Sequence, residues 1–267
     1  MTEHEFKRIV NYMYSYYGID LRRKKVIVEG RLDNYILNKG YRNYEAFMDV
    51  VESNVNCEEA QEIVNILTTN HTFFYRESEH YVFLREVILP EIKRREENTK
   101  NIRIWSAASS SGEEPYTIAM TIKDFFGFDY YRWDTTILAT DVSREVLVKA
   151  IKGIYSDKQV ETLPKRWIDS NFVKVSDSEY RVKDELKEKV IFRQFNLMNP
   201  LPFRSKLHVV FLRNVMIYFD EETREKVISK IVSFIETGGY LIIGMTEHID
   251  AGRYGLEYVE TSVYRKI

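Results

Sequence analysis

From Ile102 to the C-terminus, short apolar runs of strand character alternate with segments of helical periodicity, and this alternation limits the fold more than any other feature. Strands separated by helices run parallel and need helices on both faces. Ile102, Ile104 and Trp105 open the first strand, which ends in the small residues Ser106–Gly112. A helix from Glu113 to about Phe126 follows, then a strand over 136–140 ending on Asp141. Helix 143–151, strands 190–195 and 207–212, helix 221–236, the turn Gly238–Gly239 and strand 240–245 continue the series. Two short strands near 256–260 and 262–266 close it. The fold class is α/β, with a doubly wound sheet.

The first part of the chain reads differently. Phe6, Ile9, Val10, Met13 and Tyr17 recur at helical spacing, and Gly18 is placed to end that helix. A second helix spans about 24–38, and Asn43 caps a third whose inner face is Tyr44, Phe47, Met48 and Val51. A fourth carries Ile63, Val64, Ile66 and Leu67, and a fifth starts near Ser78 and stops at Pro90. The polar stretch 91–100 connects to the sheet. The expected division is therefore a small all-helical domain over 1–90 and a sheet domain over 91–267, without internal repeats.

With 44% hydrophobic and 30% charged residues, the chain has ample apolar material for a core. Cys57 is its one cysteine, which excludes an intramolecular disulfide and a multi-cysteine zinc site. The N-terminus lacks the apolar core of a signal peptide, and no apolar run approaches the roughly 20 residues of a bilayer span. A cytoplasmic location without membrane insertion is expected. A net charge of −2 gives no case for a nucleic-acid partner. Locally, Arg22, Arg23, Lys24 and Lys25 run together, with Arg31, Lys39 and Arg42 following. A solvated helix face is the ordinary reading of such a run.

In open parallel sheets, ligands bind at the carboxyl ends of the strands, near the switch in strand order. Small residues after the first strand let a ligand approach the backbone at a helix N-terminus. Asp141, after the second strand, suits a ribose because a carboxylate accepts from both hydroxyls. The G-x-G-x-x-G fingerprint is absent, and Glu113 and Glu114 would repel a pyrophosphate. A carboxylate there suits a ligand carrying an ammonium or sulfonium cation. Taken singly, Asp141 also suits a cap of the next helix, and Glu113 and Glu114 the positive end of theirs.

Four segments together resemble the chemotaxis receptor methyltransferases known as CheR. They are Thr69-Asn70-His71-Thr72-Phe73-Phe74-Tyr75-Arg76-Glu77, and Trp105-Ser106-Ala107-Ala108 through Gly112-Glu113-Glu114-Pro115-Tyr116. The third is Ala139-Thr140-Asp141-Val142 with Gly153-Ile154-Tyr155. The last joins Phe195-Asn196-Leu197 to Arg213-Asn214-Val215-Met216-Ile217-Tyr218-Phe219-Asp220. The resemblance spans nearly the whole chain. It implies a helical domain attached to a Rossmann-like methyltransferase sheet, with S-adenosylmethionine between them and S-adenosylhomocysteine as product.

By matched position it implies that Asn70, Thr72 and Arg76 reach the cofactor from the linker. Glu113 in the first place, with Glu114 as the alternative, is expected at its methionine portion and Asp141 at its ribose. Asn196, Leu197, Arg213 and Asn214 are expected near the adenine and the methyl group. Read singly, Asn70 and Thr72 also suit helix caps, Arg76 a pair with Glu79, Tyr218 the core, and Arg213-Asn214 a strand end.

The reaction implied is methyl-ester formation on chemoreceptor glutamates, for sensory adaptation. No serine elbow or metalloprotease motif appears, and no metal is expected. A glutamate with pKa about 4.3 is already ionised at neutral pH, so no base is needed. Tyr218 is the candidate to orient the substrate carboxylate. Receptor methylation regions are acidic helical bundles, so Arg22, Arg23, Lys24, Lys25 and Arg31 become a docking surface.

Some family members grip a receptor C-terminal peptide with a glycine-rich loop in a small β-subdomain. The corresponding stretch near 171–187 is short and has no glycine. Pentapeptide-independent binding to the methylation region, by a monomer, is expected. The alternatives are a methyltransferase for RNA or another protein, and a non-catalytic receptor-binding module.

Overall fold

The computed structural model describes residues 1–54, 57–68 and 71–267. The N-terminal helices are α1 (Glu3–Tyr17), α2 (Lys25–Asn38), α3 (Tyr44–Ser53) and α4 (Glu58–Leu67). A capping box between Thr2 and Glu5 starts α1, and Gly18, in the left-handed region at φ 69°, ends it. Asn43 caps α3 by accepting from Ala46 N–H. The inner faces read from the sequence converge: Ile9, Met13, Phe47, Met48, Val51 and Ile63 are fully buried together with Leu32. Each such side chain contributes about 1.5–3 kcal/mol on burial, which is what holds four short helices in one unit.

The next helix departs from expectation. It does not stop at Pro90 but runs as α5 (Glu79–Phe83), a π turn (Leu84–Ile88) and α6 (Leu89–Arg95). The π turn bonds Leu89 N–H to Leu84 C=O, and Pro90, which has no N–H to offer, then occupies the first turn of α6. Its buried residues Tyr81, Leu84, Ile88, Leu89 and Ile92 pack in the core of the sheet and not with the first four helices. The division between cores therefore falls near residue 70, earlier than the expected 90.

The sheet domain continues with β1 (Ile104–Ala107), α7 (Glu113–Phe126), β2 (Ile137–Asp141), α8 (Arg144–Lys152), β3 (Ile154–Ser156), α9 (Asp157–Val160) and α10 (Lys165–Asn171). Then come β4 (Phe172–Ser176), β5 (Glu179–Val182), α11 (Asp184–Lys187), β6 (Val190–Gln194), β7 (Leu207–Leu212) and α12 (Glu221–Phe234). β8 (Ile235–Ile243), β9 (Leu256–Glu260) and β10 (Val263–Lys266) end the chain. The seven-stranded sheet has the order β6-β2-β1-β7-β8-β10-β9. β6, β2, β1, β7 and β8 are parallel, and β10 pairs antiparallel with both β8 and β9. Gly238 and Gly239, expected as a turn, lie inside β8, where the register against β7 shifts between Leu207 and Val209.

A separate three-stranded sheet, β3-β5-β4, forms the β-subdomain and begins earlier in the chain than the expected 171. Asp177 and Ser178 alone join β4 to β5.

The strand order reverses between β1 and β7, so their carboxyl ends open a cleft. The helical unit is seated over it. Ile19 bridges Phe219, Asp20 N–H donates to Tyr218 C=O at 2.8 Å, and Asn196 Nδ2 donates to Tyr16 C=O at 2.6 Å. Gly18 permits this approach: a Cβ there would lie 2.6 Å from Met198 Sδ and 2.7 Å from Thr223 Cγ2.

Candidate active site

The first wall of the cleft is the turn after β1. Ala108 and Ser110 sit at φ 63° and 49°, conformations uncommon for residues with a Cβ, and Gly112 follows at φ 98°. The surroundings enforce the turn: Ser109 N–H donates to Thr140 C=O at 2.8 Å, and Tyr155 Oη to Ser111 C=O at 2.7 Å. Gly112 is required, since a Cβ would meet Ala150 Cβ at 2.8 Å and Tyr155 Oη at 2.9 Å.

Asp141, at the end of β2, is buried and lines the cleft. Its Oδ2 accepts from Ser110 N–H and its Oδ1 from Ser143 N–H, each at 2.9 Å. Burial raises its carboxyl above the ordinary value, while these N–H groups pull it down. Ser143, not Asp141, caps α8, by accepting from Val146 N–H. Two backbone bonds leave acceptor capacity on the carboxylate for a pair of hydroxyls.

The acidic pair at the start of α7 divides, and Glu114, the second choice from the sequence, is the one that faces the cleft. Glu113 is 1% exposed and turned away from the cleft, where it accepts from Ser111 Oγ at 2.7 Å and Gln159 Nε2 at 3.2 Å. Glu114 lines the cleft and accepts from Ser106 Oγ at 2.7 Å. Adjacent helical residues differ by about 100° in direction, so only one of the two can face the site.

Arg213, after β7, is buried between carboxylates. It reaches Glu114 at 2.8 Å and Glu77 at 3.0 Å, donates to Tyr81 Oη at 2.9 Å, and also bonds Arg76 C=O. Burial works against the Glu77 charge, but Arg213 and the Asn214 amide hold its carboxyl below the ordinary value. Asn214 takes φ 57° and donates from Nδ2 to Glu77 Oε1 at 3.2 Å. Asn196 Oδ1 accepts from Met198 N–H at 2.9 Å, which fixes the turn that carries Leu197 into the cleft.

The linker adds Thr72 and Arg76. Both line the cleft, and Arg76 donates to His71 C=O at 2.9 Å and lies over the Phe73 ring. Arg76 pairs with Glu77, at 3.9 Å, and not with Glu79. Asn70 lies outside the described residues. Tyr218 completes the lining on the side of the helical unit, with the Lys24 ammonium 5.7 Å from its ring centre.

The residues fit a nucleoside ligand with a cationic tail. Asp141 and Glu114 bring two carboxylates to the cleft, and the buried polar atoms Ser109 Oγ and Arg213 Nε, on residues lining it, have no hydrogen-bond partner among the described residues.

The basic run is less uniform than its sequence suggests. Arg22 pairs with Asp20 at 2.7 Å and with Asp220 at 3.1 Å, and Lys25 pairs with Glu3. Arg31 donates to the carbonyls of Ile66 and Leu67 at 3.3 and 3.2 Å, at the end of α4. The run also lies largely before α2, which begins at Lys25. At the opposite end of the sheet Glu96, His208 and Glu236 converge, but the Arg103 guanidinium already occupies their midst, 3.0 Å from Glu236.

Residues 4–68 match the all-alpha domain of CheR methyltransferases, and residues 70–264 match their SAM binding domain. The chain belongs to the CheR methyltransferase family. It is an S-adenosylmethionine-dependent methyltransferase of chemotaxis, and the two matched segments meet where the two cores divide. A chemotaxis protein methyltransferase of Borreliella burgdorferi is 39% identical, with 100% of this chain and 95% of the relative covered. That of Salmonella typhimurium is 35% identical over 93% of this chain and 85% of its own length. A probable chemotaxis protein methyltransferase of Rhizobium etli is 34% identical over 95% and 96%. No helix among the described residues is long and apolar enough to cross a membrane.

Sequence reasoning quoted Glu77 within its segment but assigned it no role. Its partners lie 136 and 137 residues away, on a strand end that spacing along the chain does not bring near. Two adjacent polar residues, Arg213-Asn214, directly after an apolar strand were the available signal.

Proposed function

We propose that the chain methylates glutamate side chains in the cytoplasmic methylation region of chemoreceptors, acting in the cytoplasm as a monomer. The observation that carries this is the cleft itself: two carboxylates stand where a nucleoside and a cationic tail need them, and Tyr218 stands at the edge of the covering helical unit. In this reading Asp141 holds the ribose, Glu114 faces the methionine ammonium, and Thr72, Arg76, Asn196, Leu197, Arg213 and Asn214 shape the rest. Asn70, by its matched position, belongs with them. S-adenosylmethionine, when bound, supplies an electrophilic methyl carbon and a thioether leaving group.

The acceptor glutamate is ionised at neutral pH and attacks without a base. The task of the protein is positioning, which in ideal cases is worth up to roughly 7–11 kcal/mol, and exclusion of water. Tyr218 orients the acceptor by donating from its hydroxyl. The helical unit acts as both cofactor cover and receptor dock. Arg23 is the docking cation best placed for this, because Arg22, Lys25 and Arg31 have partners within the protein and Lys24 lies over the Tyr218 ring. With only Asp177 and Ser178 between β4 and β5, receptor binding is independent of a C-terminal peptide.

The test is transfer of labelled methyl to receptor-containing membranes, followed by mild alkali. Label on the receptor that alkali releases as methanol establishes the glutamate ester. Alkali-resistant label refutes it. Bound S-adenosylhomocysteine without any transfer removes the receptor as substrate.

A further inference from the structure

We infer that Glu247 is a positioning residue for methyl transfer, acting through the loop Asn214–Tyr218. The inference rests on the reading that the cleft transfers methyl to receptor glutamates. Glu247 lies in the turn after β8, is 9% exposed, and does not line the cleft. Its Oε2 accepts from Asn214 N–H at 2.9 Å and Gly244 N–H at 2.8 Å, and its Oε1 accepts from Met216 N–H at 2.8 Å. Its own N–H donates to Gly244 C=O at 2.9 Å, which fixes the turn from which the carboxylate reaches across. One side chain thus ties the end of β8 to the loop after β7.

The loop depends on this tie. Asn214 is held in the left-handed region, and its side chain is held by Glu77. The Met216 amide, by contrast, is held by Glu247. Met216 opens the short 3₁₀ turn Met216–Tyr218, in which Tyr218 N–H donates to Val215 C=O and Phe219 N–H to Met216 C=O. Where Met216 sits therefore sets where the Tyr218 ring points. Asn214, Val215 and Tyr218 line the cleft, so a displacement of this turn acts on the reacting groups although Glu247 touches none of them.

The carboxylate is required chemically. Both of its oxygens face N–H donors, and an amide presents one acceptor and one donor. Whichever way Gln turned, its NH2 would oppose either Met216 N–H or the pair from Asn214 and Gly244. Asp would be one methylene too short to span both.

The experiment compares Glu247→Gln and Glu247→Asp with Ile122→Ala, a buried position on α7 whose truncation lowers thermal stability and whose core cluster contains no residue of this loop. Glu247→Gln is expected to bind S-adenosylhomocysteine within about threefold of wild type and keep receptor KM within about threefold, but to lower kcat by roughly tenfold or more. Ile122→Ala keeps kcat. Amide hydrogen exchange at 216–218 speeds up in Glu247→Gln and not in Ile122→Ala. A Glu247→Gln kcat no lower than that of Ile122→Ala, a loss confined to receptor KM or cofactor affinity, or unchanged exchange at 216–218 would each overturn the inference. If wild type transfers nothing to receptor, the substrate reading fails by itself, and the exchange data still decide whether Glu247 holds the loop.

Discussion

Arg213 and Glu114, 99 residues apart in the chain, form a buried ion pair of 2.8 Å between the end of β7 and the start of α7. The pair joins the two strand ends between which the sheet reverses its order, with Glu77 as a second counter-charge on Arg213. Removing one partner of such a group leaves a buried charge under-compensated. Glu114→Gln is therefore expected to lower stability by about 3 kcal/mol and S-adenosylhomocysteine affinity by roughly tenfold or more. Glu113→Gln loses only bonds made away from the cleft and is expected to leave affinity within about threefold. Calorimetric titration of both variants checks this, and equal losses would restore Glu113 to the cofactor.

The proposed role of Asp141 at the ribose predicts that cofactor binding is sensitive to acid. Burial raises its carboxyl above the ordinary value, so the fold favours the neutral form. That contribution to stability is fully present below the unfolded pKa and is lost as pH rises through the raised folded value. On the proposed reading, in which the ribose hydroxyls donate to the ionised carboxylate, binding runs the other way. S-adenosylhomocysteine affinity should fall on acidification, beginning at a higher pH than an ordinary aspartate near 3.9 would give. Asp141→Asn should bind weakly at every pH and lose this slope. Titrations from neutral pH to about pH 5 decide it, and an unchanged slope in Asp141→Asn would assign the effect elsewhere.

Gly18 is the point on which the helical unit turns onto the sheet domain. Its φ of 69° and its closeness to Met198 and Thr223 both oppose a side chain. Gly18→Ala is expected to cost about 1–3 kcal/mol in thermal or denaturant unfolding and to weaken cofactor binding, since Tyr17 and Ile19 line the cleft. A variant as stable as wild type would show that the two units are not held together here.

The sequence showed the helical unit and the parallel sheet clearly because their signals are local. Apolar spacing marked the faces around Ile9, Phe47 and Ile63, and Gly18 and Asn43 marked helix ends. The lining of the cleft was legible where a residue's position after a strand decides its direction, as for Asp141 and Arg213. It was not legible where direction depends on one step around a helix, as for Glu113 against Glu114. Nor was it legible where partners come from distant chain, as for Glu77 and Glu247. Pro90 misled for a related reason: its missing N–H ends an α-helix only when nothing upstream re-routes the bonds, and the π turn at Leu84–Ile88 does so. The basic run was read as one surface, yet the structure assigns Arg22 and Arg31 to contacts within the protein.

The role proposed for Tyr218 predicts a separation of binding from turnover. Its backbone carbonyl accepts from Asp20, so the main chain of this residue is held whatever the side chain does. Tyr218→Phe should keep S-adenosylhomocysteine affinity within about twofold and lower methyl transfer roughly tenfold or more through the lost hydroxyl donor. Unaltered turnover in Tyr218→Phe would remove it from the acceptor site.

The docking cations can be tested one against another. Arg31 donates to the carbonyls that end α4, so Arg31→Glu places a negative charge against the negative end of a helix and is expected to lower stability by about 1 kcal/mol. Any loss of transfer in that variant mixes folding with docking. Arg23 is exposed, and among the described residues no ion pair with an acidic side chain holds it. Arg23→Glu should therefore leave the melting temperature and cofactor affinity unchanged while slowing association with the acidic receptor bundle. Electrostatic steering weakens as salt rises, so the gap between Arg23→Glu and wild type should close as ionic strength goes from low to about 0.5 M. Initial rates of receptor methylation at several salt concentrations provide the check. A deficit that persists unchanged at high salt would mean that Arg23 makes a short-range contact, and no deficit at low salt would move the dock away from the start of α2.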